Sequence, residues 1–168
     1  MPRALQLMPD LRLRIVGKGV SEQLEELARP FGSAVQLEGF VDDLDGVLAT
    51  CTALVAPLRF GSGVKIKVVE AVGRGVPVLA TNVAAEGISS RLDGQDGIVI
   101  DDDLRHWPEA MRRLTDPDVN SEMSASALRF YRNTYSTGVV HEAYDRLFMD
   151  VAHDDAGIVD ISHRVSVG

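Results

Sequence analysis

An α/β fold built on a parallel sheet with helices on both faces is predicted by three observations. Five short runs rich in Val, Ile and Leu stand at Leu11 to Val16, Ala34 to Phe40, Thr52 to Pro57, Pro77 to Thr81 and Gly97 to Ile100, each bounded by Gly, Pro or Asp. Helical patterns separate the first four of them, an alternation that gives parallel strands with right-handed crossovers. Short apolar strands of this kind are expected to be buried on both faces. With 168 residues, 45% hydrophobic and 25% charged, the chain has enough apolar material for a real core.

The elements follow in order. A helix is predicted over Ser21 to Phe31, where Ser21 supplies a cap. A second covers Asp42 to Thr50, capped by Asp42 with Asp45 three residues on, and a third covers Val64 to Arg74, ending before Gly75. After Ile100 the chain turns helical. Pro108 suits a first helical turn, Asp118 or Asn120 can cap the next helix, and Val140, Ala143, Tyr144 and Leu147 keep an i, i+3, i+4, i+7 stripe expected to pack. Residues 1–150 are therefore read as one domain. Residues 151–168 lack a clear period and are read as a weakly ordered or strand-like tail.

In such a sheet, ligands sit beyond the carboxyl ends of the strands, where the loops after Val16, Phe40, Pro57 and Thr81 converge. The loop after Pro57 carries the most chemistry. Gly61 and Gly63 allow backbone to approach a ligand closely, and the free N–H groups at a helix start attract an anion. Lys65 or Lys67 adds a positive charge. Glu70 can accept hydrogen bonds from two vicinal hydroxyls, as a ribose presents them. The spacing is G-x-G-x-K, not the G-x-x-x-x-G-K-[ST] of a nucleoside triphosphate hydrolase. The same residues also suit a plain glycine turn before an amphipathic helix with Lys65, Lys67 and Glu70 on its wet face.

Five pieces in one order resemble the donor-binding half of the retaining GT-B glycosyltransferases, the group 1 class also called family 4. They are Leu13 to Gly19, Gly39 to Asp43, Val55 to Lys67, Glu70-Ala71 with Gly75 to Val78, and Ala85 to Ile88, spread across residues 5 to 148. The resemblance implies a Rossmann-like sheet, the C-terminal half of a GT-B fold lacking its first strand, with Met1 to Pro9 as the end of a preceding helix. It implies that Glu70 binds the donor ribose, as the second glutamate of the family's E-x7-E pattern. The first glutamate falls at Ser62, a departure that leaves the donor sugar to the backbone N–H groups of Gly61, Ser62, Gly63 and Val64.

Lys65 is expected to balance the diphosphate leaving group, with Lys67 as the alternative or as a surface partner of Glu70. Phe40 and Val41 resemble the segment that contacts the base, although Phe40 also suits core packing, and Gly17 lies in the turn after the first strand. The substrate implied is a nucleotide-diphosphate sugar, transferred as a hexosyl group in polysaccharide or glycolipid synthesis without a cofactor or metal. The acceptor-binding domain would be the missing N-terminal half of the same enzyme, and Tyr135-Ser136 resembles the start of the crossover helix back to it. The 168 residues alone are then expected to be inactive. A non-catalytic module that kept this half-fold, or a sugar-nucleotide epimerase of the same fold, are the alternatives.

Other features argue for or against wider classes. A net charge of −8 opposes non-specific nucleic-acid binding. Cys51, the lone cysteine, reads as a small core residue of a reducing compartment. No apolar run reaches the ~18 residues of a membrane span, so the expected location is cytoplasmic, with membrane contact only through the full-length protein at the inner face. Gly17-Lys18-Gly19 has Glu22 where a dinucleotide site needs its third glycine. Asp101-Asp102-Asp103 contains a formal D-x-D metal motif, but an Asp run after a strand usually caps a helix. The four histidines lack zinc spacing, and Trp107 reads as a packing residue at a helix start. Glu86-Gly87 either faces the donor or forms a turn with a solvated glutamate.

Overall fold

A computed structural model describes residues 1–89 and 94–153. The chain divides into two compact units, Met1–Tyr131 and a second that begins at Arg132. In the first unit the elements are α1 (Pro2–Leu7), β1 (Leu13–Val16), α2 (Glu22–Ala28), a 3₁₀ helix (Arg29–Ala34), β2 (Val35–Gly39), α3 (Leu44–Ala49), β3 (Leu54–Ala56), α4 (Ile66–Gly73), β4 (Val78–Ala80), α5 (Asn82–Ala85), β5 (Ile98–Ile100) and α6 (Trp107–Leu114). Helix α7 (Pro117–Thr134) runs across the boundary, and α8 (Thr137–His153) belongs to the second unit. Every predicted strand contains an observed one, and all pairings among the described residues are parallel.

The expected single sheet is instead two. One pairs β1 with β2, and the other has the order β3-β4-β5. A doubly wound sheet has the order 3-2-1-4-5-6, and the two pieces match its 3-2 and 4-5-6 portions. Among the described residues no strand holds the position of strand 1. Burial follows from this gap. Val78, Leu79 and Ala80 of β4 are fully buried, because β4 has a neighbour on each side, whereas β1 and most of β3 are only half-buried. The expectation that all five strands are buried on both faces therefore holds in full only for β4.

The core lies around β4 and β5. Val68, Ala71 and Val72 of α4 are fully buried, consistent with an i, i+3, i+4 stripe laid on the sheet. Leu79, Trp107 and Leu114 form a buried cluster flanked by Val55, Val99, Met111 and Met123, and full burial of each such side chain contributes about 1.5–3 kcal/mol. Trp107 also donates its indole N–H to the carbonyl of Asp101 (3.0 Å). Gly97, at φ +79°, opens β5 against α7, and a Cβ there would stand 2.4 Å from that of Ala127. Only glycine allows the helix this close.

Capping differs from expectation in two places. Ser21 caps α2 through the Leu24 N–H (3.2 Å), but α3 is capped by Asp43, not Asp42. The Asp43 carboxylate accepts the N–H of Gly46 at 2.8 Å, the three-residue reach of a helix cap. Helix α7 is capped by Asp116, which accepts from the N–H groups of Asp118 and Val119 (3.0 and 3.1 Å), and Asn120 instead donates to the carbonyls of Thr52 and Leu114. Helix α5 is too short to leave a periodic signal.

Cys51 is half-buried and directs its thiol to the carbonyl of Val47 (3.2 Å). In α8 the side chains of Val140 and Tyr144 are exposed. The Leu147 side chain and residues 154–168 of the predicted tail lie outside the described residues. No described helix is long and apolar enough to cross a membrane.

Candidate functional site

Parallel strands deliver their following loops to one edge, and two clusters form there, one for each sheet. At the β1–β2 sheet the N–H of Gly17 donates to the carbonyl of Gly39 (2.6 Å), tying the two post-strand turns together. The Lys18 ammonium then lies 4.5 Å from the centre of the Phe40 ring, within cation–π range. Phe40 is 61% exposed, so core packing does not explain it. Val41 beside it is half-buried. Lys18 gave no signal of this role in the sequence, since its partner is 22 residues away.

At the β3–β4–β5 sheet, Thr81 organises the loops. Its hydroxyl donates to the carbonyl of Leu58 (2.5 Å) and accepts from the N–H of Ala84 (3.2 Å), so one side chain caps α5 and pins the loop after β3 to the loop after β4. Asp102 fixes the same region from the loop after β5. It accepts from the backbone N–H and the side-chain amide of Asn82, both at 2.8 Å, and these donors hold its carboxyl below the usual aspartate range.

The loop so fixed ends at α4, whose N-cap is Lys65 itself, in extended conformation and without a side-chain cap. Gly63 takes the positive φ (+74°) that turns the chain into the helix. The Lys65 carbonyl accepts from Val68 and Val69, but among the described residues no bond satisfies the N–H groups of Gly61 to Lys67. A helix start lacking its cap is a ready anion site, where the dipole adds about half a positive charge. The Lys65 side chain curls over this start and is 9% exposed. Its ammonium donates to the carbonyl of Gly63 (2.5 Å) and to Glu86 Oε2 (3.3 Å).

Of the predicted site residues, Gly61, Ser62, Gly63, Val64 and Lys65 are thus together, with Glu86 joined to them from the loop after β4. Lys67 is exposed and does not pair with Glu70, which rules out the surface ion pair expected as one alternative. Glu70 stands about 7.5 Å further along α4 than Lys65 at helical rise. It is half-buried beside Val69, Gly73, Arg74, Asp45 and Tyr131 at a shallow pocket, and its carboxylate makes no bond among the described residues. A free, partly sheltered carboxylate is a good acceptor for paired hydroxyls.

The aspartate run is used locally. Asp101 pairs with His106 (3.0 Å), Asp102 holds Asn82, and Asp103 binds Arg105 (2.8 Å), whose guanidinium holds the Asp103 carboxyl well below its usual range. Among the described residues no group of three or more His, Cys, Asp or Glu side chains is gathered as a metal site.

Residues 1–116 match the family described as "Glycosyl transferases group 1". The chain belongs to the group 1 glycosyltransferases. The phosphatidyl-myo-inositol mannosyltransferase of Mycolicibacterium smegmatis is 31% identical over 159 residues, covering 83% of this chain and 41% of that protein. The corresponding enzyme of Mycobacterium leprae is also 31% identical, over 90% of this chain and 41% of its own length. The chain therefore spans about two fifths of these relatives.

Among solved structures, Anabaena HepE in complex with UDP superposes with a TM-score of 0.73 at 15% identity, over 89% of this chain and 43% of HepE. Sucrose-phosphate synthase from Thermosynechococcus elongatus gives 0.72 at 18%, over 89% of this chain and 40% of its own. These neighbours are GT-B glycosyltransferases, and the group 1 member described here shares their fold.

Proposed function

We propose that this chain is the donor-binding domain of a retaining hexosyltransferase that uses a nucleotide-diphosphate sugar in polysaccharide or glycolipid synthesis. The observation that carries the reading is the run of N–H groups from Gly61 to Lys67 that have no partner among the described residues, with the sheltered Lys65 ammonium beside it. Such a site suits a diphosphate. Solved relatives of the fold hold UDP or UDP-glucose, and the curated relatives are mannosyltransferases, which supports a sugar nucleotide as the guest.

Each residue then has a chemical task. When the anomeric C–O bond breaks, charge accumulates on the departing diphosphate. Lys65 and the dipole of the α4 start meet it with charge already in place, the arrangement that lowers such a barrier most, while the backbone N–H groups of Gly61, Ser62, Gly63 and Val64 face the hydroxyls of the donor sugar. Lys67 adds a second positive charge at the rim. Glu70 accepts the ribose hydroxyls, and Phe40 with Val41 and the turn at Gly17 supports the base. No step calls for a metal or cofactor, because the local charge is supplied by Lys65 and the helix start, while the Asp101 to Asp103 carboxylates are engaged in their own loop. Transfer by the complete enzyme is expected to survive EDTA. The acceptor is read by a second domain of the same enzyme, so the 168 residues bind donor without transferring it, on the cytoplasmic side and at the membrane only through the whole protein.

Titration of the chain with UDP and with GDP tests this. Binding of either that falls by roughly 10- to 100-fold in Glu70→Ala, about 1.5–3 kcal/mol for a hydrogen bond to a charged group, supports the ribose role. Lys65→Ala is expected to weaken the diphosphate at least as much. Binding of neither nucleotide, or binding indifferent to both changes, overturns the proposal.

A further inference from the structure

Glu86 stands at a site that otherwise collects positive charge. The Lys65 ammonium 3.3 Å from its Oε2 is its only described partner, and its side chain is 56% exposed. An ionised carboxylate has about four acceptor positions, so most of its capacity is unused. Its place is not accidental to a loose surface. Gly87 brings the loop after β4 so close to the loop after β3 that a Cβ on it would stand 3.2 Å from Val64 Cγ2, and the Thr81 hydroxyl joins the same two loops. Glu86 is therefore held beside the anion site by the close approach of Gly87 to the Val64 side chain and by the hydrogen bond of Thr81 to Leu58.

A carboxylate next to a phosphate site is unfavourable unless the guest offers it something. A free nucleoside diphosphate ends in a phosphate with close to two negative charges at neutral pH. A sugar-capped diphosphate has a single charge on that phosphate and carries hydroxyl donors beyond it. We propose that Glu86 makes this site discriminate between the two, accepting hydrogen bonds from the hydroxyls of the transferred sugar and repelling the terminal phosphate of the free diphosphate. The inference rests on the donor-site reading above. It also assigns a sugar contact that the serine at position 62 does not supply. In turnover, the same repulsion helps expel the nucleotide once its sugar has gone.

The test is Glu86→Gln, which keeps the side-chain shape and an acceptor but removes the charge. Calorimetric dissociation constants are measured for UDP and UDP-glucose, and for GDP and GDP-mannose, with the wild-type chain and the variant. The expected result is a fall of about three- to tenfold in the ratio of the free nucleotide's constant to the sugar nucleotide's, the size of one screened charge at contact distance. The free nucleotide should bind more tightly in the variant and the sugar nucleotide no better. Equal weakening of both means that Glu86 only holds Lys65 in place and overturns the inference, as does an unchanged ratio. If no nucleotide binds the wild-type chain, the donor-site reading itself fails.

Discussion

Phe40 shows how one side chain separates packing from recognition. A phenylalanine after an apolar strand suits the core, yet this ring is 61% exposed and carries an ammonium near one face. Removing it should cost little folding free energy, under about 1 kcal/mol for a residue with so little buried contact. If the ring supports the base of the donor, nucleotide affinity should drop by much more, since loss of an aromatic stacking surface costs about 1–3 kcal/mol per base. Phe40→Ala is thus expected to keep its melting temperature within a few degrees while weakening UDP or GDP binding at least fivefold. A large loss of stability with unchanged affinity would return Phe40 to the core. The sequence suggested Phe40 through its position after a strand, but its partner Lys18 was invisible there, because a cation–π contact depends on how two turns meet.

At the scale of elements, the site depends on short helices that periodicity cannot detect. Helix α5 has four residues and is held at its N-terminal end: Thr81 caps it and Asp102 clamps Asn82 at its first position. The donors on Asn82 lower the folded-state pKa of Asp102. A carboxyl with a lowered folded pKa stabilises the fold above its unfolded value, near 3.9 for aspartate, and loses that contribution as pH falls through the folded value. Asp102→Ala should therefore lower the melting temperature at neutral pH, with the gap to wild type narrowing below about pH 4 and closing where Asp102 is protonated. A gap that persists undiminished in acid would show that the clamp works through packing and not through the carboxylate.

The longer elements were legible for a physical reason. Helix α4 repeats buried Val68, Ala71 and Val72 at helical spacing, and β4 is an unbroken apolar run bounded by Pro77 and Thr81. Caps were legible only to within a residue or two. Asp42 and Asp43 are chemically equal, and which of them reaches an N–H three residues on is decided by the turn.

For the whole molecule, the parallel α/β plan was legible from alternation, while the division of the sheet was not, since each strand advertises its own apolarity and not the identity of its neighbours. The division has a consequence for stability. Strand β4 is paired on both sides and its residues are fully buried, whereas β1 and β3 are each paired on one side and half-buried. Regions with fewer buried contacts open at lower free energy than the global transition.

Amide hydrogen exchange should then find β4 and β5 protected to the full unfolding free energy, and β1 and β2 exchanging through a smaller opening that leaves the second sheet intact. The Gly17 and Phe40 turns ride on β1 and β2, and the Lys65 loop rides on β3 and β4. If, as proposed, the first cluster contacts the base and the second the diphosphate, the first should become more protected when a nucleotide bridges them. Addition of UDP or GDP, whichever binds, is therefore expected to slow exchange in β1 and β2 more than in β4. Equal protection of all five strands in the free chain would mean that the two sheets unfold as one unit, with Arg14, which spans from Glu38 on β2 to Thr50 after α3, as the first contact to examine for that coupling.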